Sequence, residues 1–391
     1  MKRVWLRAMA LAACLVMMAT AVSAQGIMRV YVSEGTMEEA LAGRLTVLLG
    51  RAFPKTEFEL LDRAEGSLRD LVLDDRAPQL AICSPGEAAV WAREGLLLPL
   101  QTHMEDQEEI VREILSVCVY DENLFMMPLT AHHRQMAVNV KLFEKHALGY
   151  MLDEIAHPVW YPTEFQQILE EFAIADMPAL DLWHAAPEDA APMEAMIQAI
   201  YCGMLLDEDG KTCTADEKSV HSGMRWMRDL IEGGAIGYVS TRAEALERFL
   251  AGETAIFVDW TKELQEKYAQ QMKEAGMIIK TRPYPSSSGL PVRSYELTGV
   301  SVFDSGDEKI NALALQAAAF LHEDAQAQRL LSKREIFEDD SIWLWDLSAS
   351  SHGATLRSLM CQAFEKIFEE KQEIAPALER IKAGMDMVLE R

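Results

Sequence analysis

The stretch FLAGETAIFVDW, Phe249–Trp260, leads from a helix into a buried strand. Apolar residues at helical spacing predict a helix over Thr241–Leu250, and an apolar run predicts a strand over Thr254–Val258. Asp259 and Trp260 come directly after this strand, where we expect the next helix to start. In α/β sheets, ligands bind beyond the carboxyl ends of the strands. The stretch therefore predicts an α/β fold with a binding site that contains these two side chains.

Strand and helix patterns also alternate in the N-terminal part of the chain. The predicted strands are Ile27–Val32, Thr56–Leu61 and Gln79–Cys83. A helix is expected after each strand. Ser33 can cap the first helix, which carries Leu41, Leu45, Leu48 and Leu49. The second helix is expected over Leu68–Asp74, and the third is expected to start at Pro85. Such alternation is typical of an α/β layer with a parallel sheet.

The rest of the chain is richer in helical patterns. The Ser/Pro/Gly-rich residues Pro283–Pro291 predict a loop, and Leu297–Phe303 predicts one more strand after it. Predicted helices are Pro162–Phe172, Pro187–Ile200, Asp216–Glu232, Ile310–His322, His352–Glu370 and Ile374–Leu389. This order predicts a helical C-terminus.

Composition and charge restrict the class of protein. The chain has 391 residues, of which 50% are hydrophobic, so it is expected to form two or three globular domains. Its formal net charge is −25. Because an acidic surface repels phosphate backbones and anionic lipids, nucleic acids and membrane surfaces are not expected as partners.

Residues 1–24 have the pattern of a secretory signal peptide. Lys2, Arg3 and Arg7 are basic, an apolar region runs from Ala8 to about Met18, and Val22-Ser23-Ala24 offers a cleavage site before Gln25. No later apolar run is long enough to span a membrane. We therefore expect an extracytoplasmic protein, in the periplasm or at the cell surface.

A lipid anchor is the alternative reading of the same residues. Leu11-Ala12-Ala13-Cys14 resembles a lipoprotein processing box, in which Cys14 would be acylated. Only Ala8, Met9 and Ala10 lie between Arg7 and this box, and that is shorter than a usual apolar region. The signal-peptide reading is therefore favoured over the anchor.

Cysteines after the cleavage site allow two interpretations. Their number is odd, so at least one thiol is free even in an oxidising compartment. Cys202 and Cys213 flank a turn and form the best candidate pair. The favoured interpretation is that all of them are small buried side chains, because a chain of this length needs no disulfide framework. The residues concerned are Cys83, Cys118, Cys202, Cys213 and Cys361.

Motifs of catalysis and metal binding are missing from the sequence. It has no His-Glu-x-x-His, no Gly-x-Ser-x-Gly and no Gly-x-Gly-x-x-Gly. Gly210-Lys211-Thr212 ends like a phosphate loop, but Leu205 stands where the first glycine is required. We therefore expect no catalytic residue, metal or cofactor. A secreted hydrolase that uses a carboxylate pair, Glu164 with Glu170 or Asp339 with Asp340, is a remote alternative.

Several short motifs together resemble the extracellular solute-binding proteins of ABC importers, family 1, which includes the maltose-binding type. They occur in the family's order, and Phe249–Trp260 is the best match. Gly and Asp positions of the family pattern are replaced in two of them. The motifs are Ala77–Leu80 (APQL), Gly95–Leu100 (GLLLPL), Tyr120–Pro128 (YDENLFMMP), Ala137–Phe143 (AVNVKLF), Trp160–Phe165 (WYPTEF), Phe249–Trp260 and Gly299–Phe303.

The resemblance implies a type II periplasmic-binding-protein fold, with two α/β lobes and a ligand cleft between them. Lobe one would comprise residues 25–137 and 298–348, and lobe two would comprise residues 139–296 and 350–391. The chain would cross between lobes near Met136–Val140, Leu297–Ser301 and Asp346–Ser350. Closure of the lobes around a ligand is the motion expected for this class of receptor.

The resemblance also implies a function and a set of ligand contacts. A sugar or oligosaccharide would bind, the partners would be the transmembrane subunits of an ABC permease, and the receptor would be a monomer. A polyamine, a metal chelate or a phosphate ester is the alternative ligand. Trp260 would stack on the ligand and Asp259 would bond a polar group, Ser33 and Glu34 would lie at the end of the first strand, and His132, Arg134 and Tyr284 would lie at the rim.

Overall fold

The computed structural model describes residues 26–33, 37, 39–61, 77–100, 114, 117–183, 186, 190–201, 203–207, 212–324, 327, 342–345, 347, 350 and 352–390. Some of the predictions lie outside these residues. They are the signal peptide with Cys14, the contact at Glu34, the helix over Leu68–Asp74, the thiol of Cys202 and the pair Asp339 and Asp340.

Strands and helices alternate along the described chain. The strands are β1 (Ile27–Val32), β2 (Glu57–Leu60), β3 (Leu80–Cys83), β4 (Val119–Tyr120), β5 (Asn123–Leu124), β6 (Met127–Asn139), β7 (Leu180–Trp183), β8 (Ile236–Val239), β9 (Ile256–Trp260), β10 (Ile279–Arg282), β11 (Val292–Val302) and β12 (Ile342–Trp345). The α-helices are α1 (Glu39–Ala52), α2 (Pro85–Arg93), α3 (Val140–Lys145), α4 (Pro162–Ile174), α5 (Ala191–Tyr201), α6 (Lys218–Glu232), α7 (Arg242–Ala251), α8 (Lys262–Glu274), α9 (Glu308–Glu323), α10 (Gly353–Phe364) and α11 (Ile374–Leu389). This mixture confirms the predicted α/β class.

The chain folds as two compact units. Unit one combines Met1–Thr130 with Thr298–Arg334, and unit two combines Ala131–Leu297 with Glu335–Arg391. The chain passes from one unit to the other within β6 and within β11, because the unit boundaries fall inside these strands. The lobe boundaries inferred from the sequence stay a prediction.

The sheet of unit one is built around β1. Strands β2 and β3 run parallel to β1 on either side of it, and residues 299–302 of β11 run antiparallel to β3. Met28, Val30 and Val32 of β1 are buried while the residues between them are more exposed, which is the period of two of a half-buried strand. Helix α2 follows β3 directly, because Ser84 caps it and Glu87 completes a capping box.

The sheet of unit two contains both parallel and antiparallel pairs. Strand β7 runs parallel to β8 and to β9, whereas β6 runs antiparallel to β9 and to β10. Residues 292–295 of β11 pair in parallel with β12. The carboxyl ends of β7, β8 and β9 therefore meet at one edge of the sheet.

Aromatic rings fill the core of unit two. Phe143 stacks on Trp160 at a centroid distance of 5.9 Å, and Trp160 stacks on Phe165 at 6.0 Å. Trp226 of α6 extends the row against Phe165 at 6.1 Å. Helix α5 is buried over the whole of residues 191–200. Such rings bury large areas of apolar surface, so this core supplies much of the stability of the unit.

Most of the predicted elements are confirmed, with corrections at three places. Trp260 ends β9 and does not start the next helix, because Thr261 caps α8. The predicted strand Leu297–Phe303 is longer and begins at Val292, where it pairs with β12. The predicted helix His352–Glu370 changes to a π-helical turn at Glu365.

Three of the described cysteines have free thiols. They are Cys83, Cys118 and Cys213, which are all buried, whereas Cys361 is partly buried. The Sγ of Cys213 lies 3.3 Å from the Sδ of Met385. Cys213 therefore forms no disulfide, which agrees with the favoured interpretation of the cysteines as packing residues.

Candidate functional site

Strand β9 holds the first two candidate residues at its carboxyl end. All five residues of Ile256–Trp260 are buried. Thr261 follows at once, and its side chain accepts a hydrogen bond from the backbone N–H of Leu264 at 3.4 Å, so α8 begins directly after the strand. Asp259 and Trp260 are thus held between a paired strand and a capped helix.

The carboxylate of Asp259 lies between two arginines. Its side chain is only 3% exposed. The Nε of Arg134, on β6, lies 3.5 Å from one carboxylate oxygen, and the Nε of Arg242 donates a short hydrogen bond to the other. A buried carboxylate is stable only when it is paired, and the two guanidinium groups supply that pairing.

Arg242 also belongs to this candidate site, although it was not predicted from the sequence. It is the first residue of α7, which Thr241 caps by accepting a hydrogen bond from the N–H of Glu244 at 3.1 Å. Its guanidinium lies 5.8 Å from the ring centroid of Phe257. The sequence did contain a signal for Arg242, because a capping residue and a helix follow directly after β8. Since β8 and β9 both run parallel to β7, the start of α7 lies at the same edge of the sheet as the end of β9.

Trp260 is buried within the aromatic core of unit two. It is 0% exposed, and its ring makes edge contacts with Phe249 at 5.9 Å and with Phe257 at 6.3 Å. Among the described residues, its indole Nε1 has no hydrogen-bond partner. Neither face of the ring is exposed in this conformation, so the expected stacking on a ligand stays a prediction.

Tyr284 connects the loop after β10 to the same strand end. Its hydroxyl donates a hydrogen bond to the carbonyl oxygen of Val258 at 2.7 Å, and its backbone pairs with Val292. Burial raises the pKa of Tyr284 well above its usual range, and the negative charge of Asp259 raises it further. Tyr284 therefore stays protonated and acts as a donor that fixes β9.

The remaining candidates lie in different parts of the chain. Asp259, Trp260, Arg134 and Tyr284 come together in unit two, whereas Ser33 is buried in unit one, where its N–H donates to the carbonyl of Ile82 at 2.9 Å. His132 belongs to β6, and only its backbone is described. Their roles as ligand contacts stay predictions.

A second buried carboxylate lies on β7. Asp181 is 2% exposed, and one of its oxygens accepts a hydrogen bond from Nη1 of Arg248 at 2.9 Å. Its other carboxylate oxygen has no partner among the described residues. Burial raises the pKa of Asp181 to about 6, against the opposing effect of Arg248. Asp181 therefore keeps its proton to a higher pH than an ordinary aspartate does.

Within the described ranges there is no group of three or more His, Cys, Asp or Glu side chains that could hold a metal ion. Nor does any helix in the same ranges have the length and apolar character needed to span a membrane.

Comparison with known families identifies the class of protein. The model of the family described as bacterial extracellular solute-binding protein matches residues 69–333, which is more than half of the chain. The chain belongs to this family. The Asp259 cluster, which consists of Asp259, Arg134, Arg242, Trp260 and Tyr284, lies within the matched residues, as do all of β6 to β11.

Solved structures share the fold of this solute-binding protein. The GacH receptor of Streptomyces glaucescens, studied with and without acarbose, is 16% identical and has a TM-score of 0.69, over 93% of this chain and 98% of that one. The sugar-binding protein MalE of Xanthomonas citri is 13% identical with a TM-score of 0.70, over 93% and 97%. UgpB of Mycobacterium tuberculosis, in complex with glycerophosphocholine, is 14% identical with a TM-score of 0.70, over 94% and 99%.

These likenesses establish the periplasmic-binding-protein fold that the sequence motifs implied. No curated protein matches the chain in sequence. The family and the structures similar to this chain are binding proteins and not enzymes.

Proposed function

We propose that this protein is an extracytoplasmic receptor that binds a sugar or an oligosaccharide and delivers it to the transmembrane subunits of an ABC importer. The observation that carries the proposal is the family match over residues 69–333, joined to a fold shared with sugar-binding receptors over 93% of the chain. In this proposal the protein acts by binding alone, as a monomer.

The arginine pair supports a ligand with many hydrogen-bond acceptors. Arg134 is 17% exposed and Arg242 is 28% exposed, so both side chains are partly accessible while Asp259 fixes their orientation. A guanidinium presents several N–H donors in a rigid plane, which suits the hydroxyl oxygens of a sugar. We therefore propose Arg134 and Arg242 as ligand contacts and Asp259 as the residue that positions them.

The same contacts argue against a polyamine and in favour of a phosphate ester as the alternative ligand. A polyamine needs an open carboxylate, and Asp259 is already paired with two cations. A phosphate ester would instead find donors on the arginines, and the complex of UgpB with glycerophosphocholine shows that this fold accommodates such a ligand. The phosphate ester is accordingly the second candidate.

The location of the receptor rests on its first residues. The family is extracellular, and residues 1–24 have the composition of a signal peptide. We propose export and cleavage before Gln25, with a lipid anchor at Cys14 as the less favoured alternative. Mass spectrometry of the exported protein distinguishes the two, since cleavage before Gln25 removes Cys14.

A thermal-shift screen of the mature chain tests the ligand class. The panel contains neutral mono- and oligosaccharides, glycerophosphocholine and spermidine. A ligand at about 100 times its dissociation constant stabilises the folded state by about 2.7 kcal/mol, which gives a clear rise in melting temperature. A rise with neutral sugars supports the proposal, a rise with glycerophosphocholine alone supports the second candidate, and a rise with spermidine alone refutes both.

Two substitutions test the site once the screen has found a sugar that binds. Trp260→Phe retains most of the buried ring, whereas Trp260→Ala would leave a cavity that costs about 3–5 kcal/mol. Arg242→Ala is expected to weaken binding about tenfold or more in calorimetry. Trp260→Phe weakens binding only if the ligand-bound form exposes the indole ring, which is buried in this conformation. Trp226→Phe is the control, because Trp226 contacts Phe165 and Tyr201 and not the Asp259 cluster. If all variants bind the sugar with the affinity of wild type, the Asp259 cluster is not part of the ligand site.

A further inference from the structure

A groove on unit one lies far along the chain from the cluster around Asp259. It has a volume of about 440 Å³, within the range of small-molecule sites. The turn that follows α1 forms one wall, and one face of α9 forms the other. Both walls belong to unit one, so the groove is complete within that unit.

The apolar part of the groove is held in place by packing. Phe53 lines it and is only partly buried. Its ring makes an edge contact with Phe320 of α9 at 5.8 Å and lies 6.0 Å from the ring of Phe58. Ala312 of α9 also lines the groove and is small and exposed, so it adds little bulk to that wall. A partly exposed aromatic ring that is held by its neighbours suits an apolar group of a ligand.

The charged part of the groove is positive although the chain as a whole is acidic. Lys55 and Lys309 both line it and are both exposed, and the lining residues include no Asp or Glu. Lys309 lies in the first turn of α9, whose N-terminus is capped by the carboxylate of Asp307. On a chain of net charge −25, two lysines that face one groove create a local preference for an anion.

Thr56 adds to the groove a hydroxyl group that lacks a hydrogen-bond partner among the described residues. It lines the groove and is 7% exposed, and its buried hydroxyl has no hydrogen-bond partner among the described residues. Buried hydroxyl groups normally have a partner, because an unsatisfied one costs free energy. Because this oxygen is screened from solvent in this conformation, a ligand would supply the partner after the Thr56 side chain turns toward the groove.

We propose that this groove binds a small organic anion with an apolar body. The acidic group would lie between Lys55 and Lys309, the apolar body would rest on Phe53, and the hydroxyl of Thr56 would hydrogen-bond to the ligand. This site is separate from the Asp259 cluster and does not depend on the function proposed for that cluster.

Fluorescence titration with anilinonaphthalene sulfonate, an aromatic anion, tests the proposal on the folded mature chain. The double variant Lys55→Gln/Lys309→Gln is expected to bind the probe about fivefold more weakly than wild type. The matched control is Lys145→Gln/Lys273→Gln, which changes the net charge equally at two exposed lysines of unit two. The control is expected to bind the probe as wild type does.

A steric variant makes the test independent of charge. In Ala312→Phe, a large ring at an exposed position of α9 would fill the groove. This variant is expected to lose the part of probe binding that depends on Lys55 and Lys309. Added salt is expected to weaken probe binding to wild type, because exposed charges are screened. Equal binding by the lysine variant and its control, or full binding by Ala312→Phe, would overturn the proposal.

Discussion

Replacing Asp181 by Asn is expected to remove a pH-dependent loss of stability. Burial raises the pKa of Asp181 to about 6 from an ordinary value of 3.8, and Arg248 only partly opposes this rise. The folded chain therefore holds this proton to a higher pH than the unfolded chain does. The stability linked to the proton is present in full below pH 3.8 and is lost as the pH rises through about 6. A difference of roughly two pKa units corresponds to about 3 kcal/mol.

Urea unfolding of wild type and Asp181→Asn across this pH range measures the effect. The free energy of unfolding of the variant, relative to wild type, is expected to rise by about 3 kcal/mol between acidic and neutral pH. Glu253→Gln is the control, because Glu253 also contacts Arg248 but is 61% exposed, and most of the pH dependence should survive in it. A difference between Asp181→Asn and wild type that stays constant with pH would refute the reasoning.

Substitutions at three further positions test the packing inside each unit. Gly299→Ala is expected to destabilise by about 2 kcal/mol in urea unfolding, because a Cβ there would lie 2.6 Å from the carbonyl oxygen of Met127. Gly43→Ala, in α1 with open space around it, should stabilise by about 0.5–1 kcal/mol, and the same sign for both glycines would contradict this account. Glu194→Ala, which removes a fully buried carboxylate 3.9 Å from Nε of Arg357, should cost about 3 kcal/mol, with a smaller loss for Glu194→Gln. Equal losses for these two variants would show that packing, and not the carboxylate, matters there.

Local signals explain why many elements could be predicted from the sequence. Strand β1 was predicted with its observed bounds because buried and more exposed residues alternate along it and a helix follows. Helix α2 was predicted to begin at Pro85, where Ser84 and Glu87 form a capping box. Strand β11 was predicted too short, since Arg293 and Glu296 interrupt its apolar pattern and its first residues are held by β12, which is distant in sequence. Strands that depend on distant partners give weak local signals.

The candidate site was only partly predictable for a similar reason. Asp259 and Trp260 could be placed at a strand end from their immediate neighbours. Arg134 meets Asp259 only because β6 pairs with β9 in one register, with an irregularity between Gln135 and Ala137. A shift of one residue would turn Arg134 to the other face of the sheet. Registers and bulges are set by tertiary packing, so the charge partners of Asp259 could not be read from spacing.

Those charge partners change which ligands the proposed site is expected to bind. As an isolated carboxylate, Asp259 was compatible with a cationic ligand such as a polyamine. Once Arg134 and Arg242 are paired with it, a cation would have to displace a guanidinium and leave a second positive charge nearby, which is unfavourable in a buried position. A neutral sugar or a phosphate ester avoids this cost, since each brings hydrogen-bond acceptors and no positive charge. The identity of the partners of one buried side chain therefore separates ligand classes that the net charge of −25 could not separate.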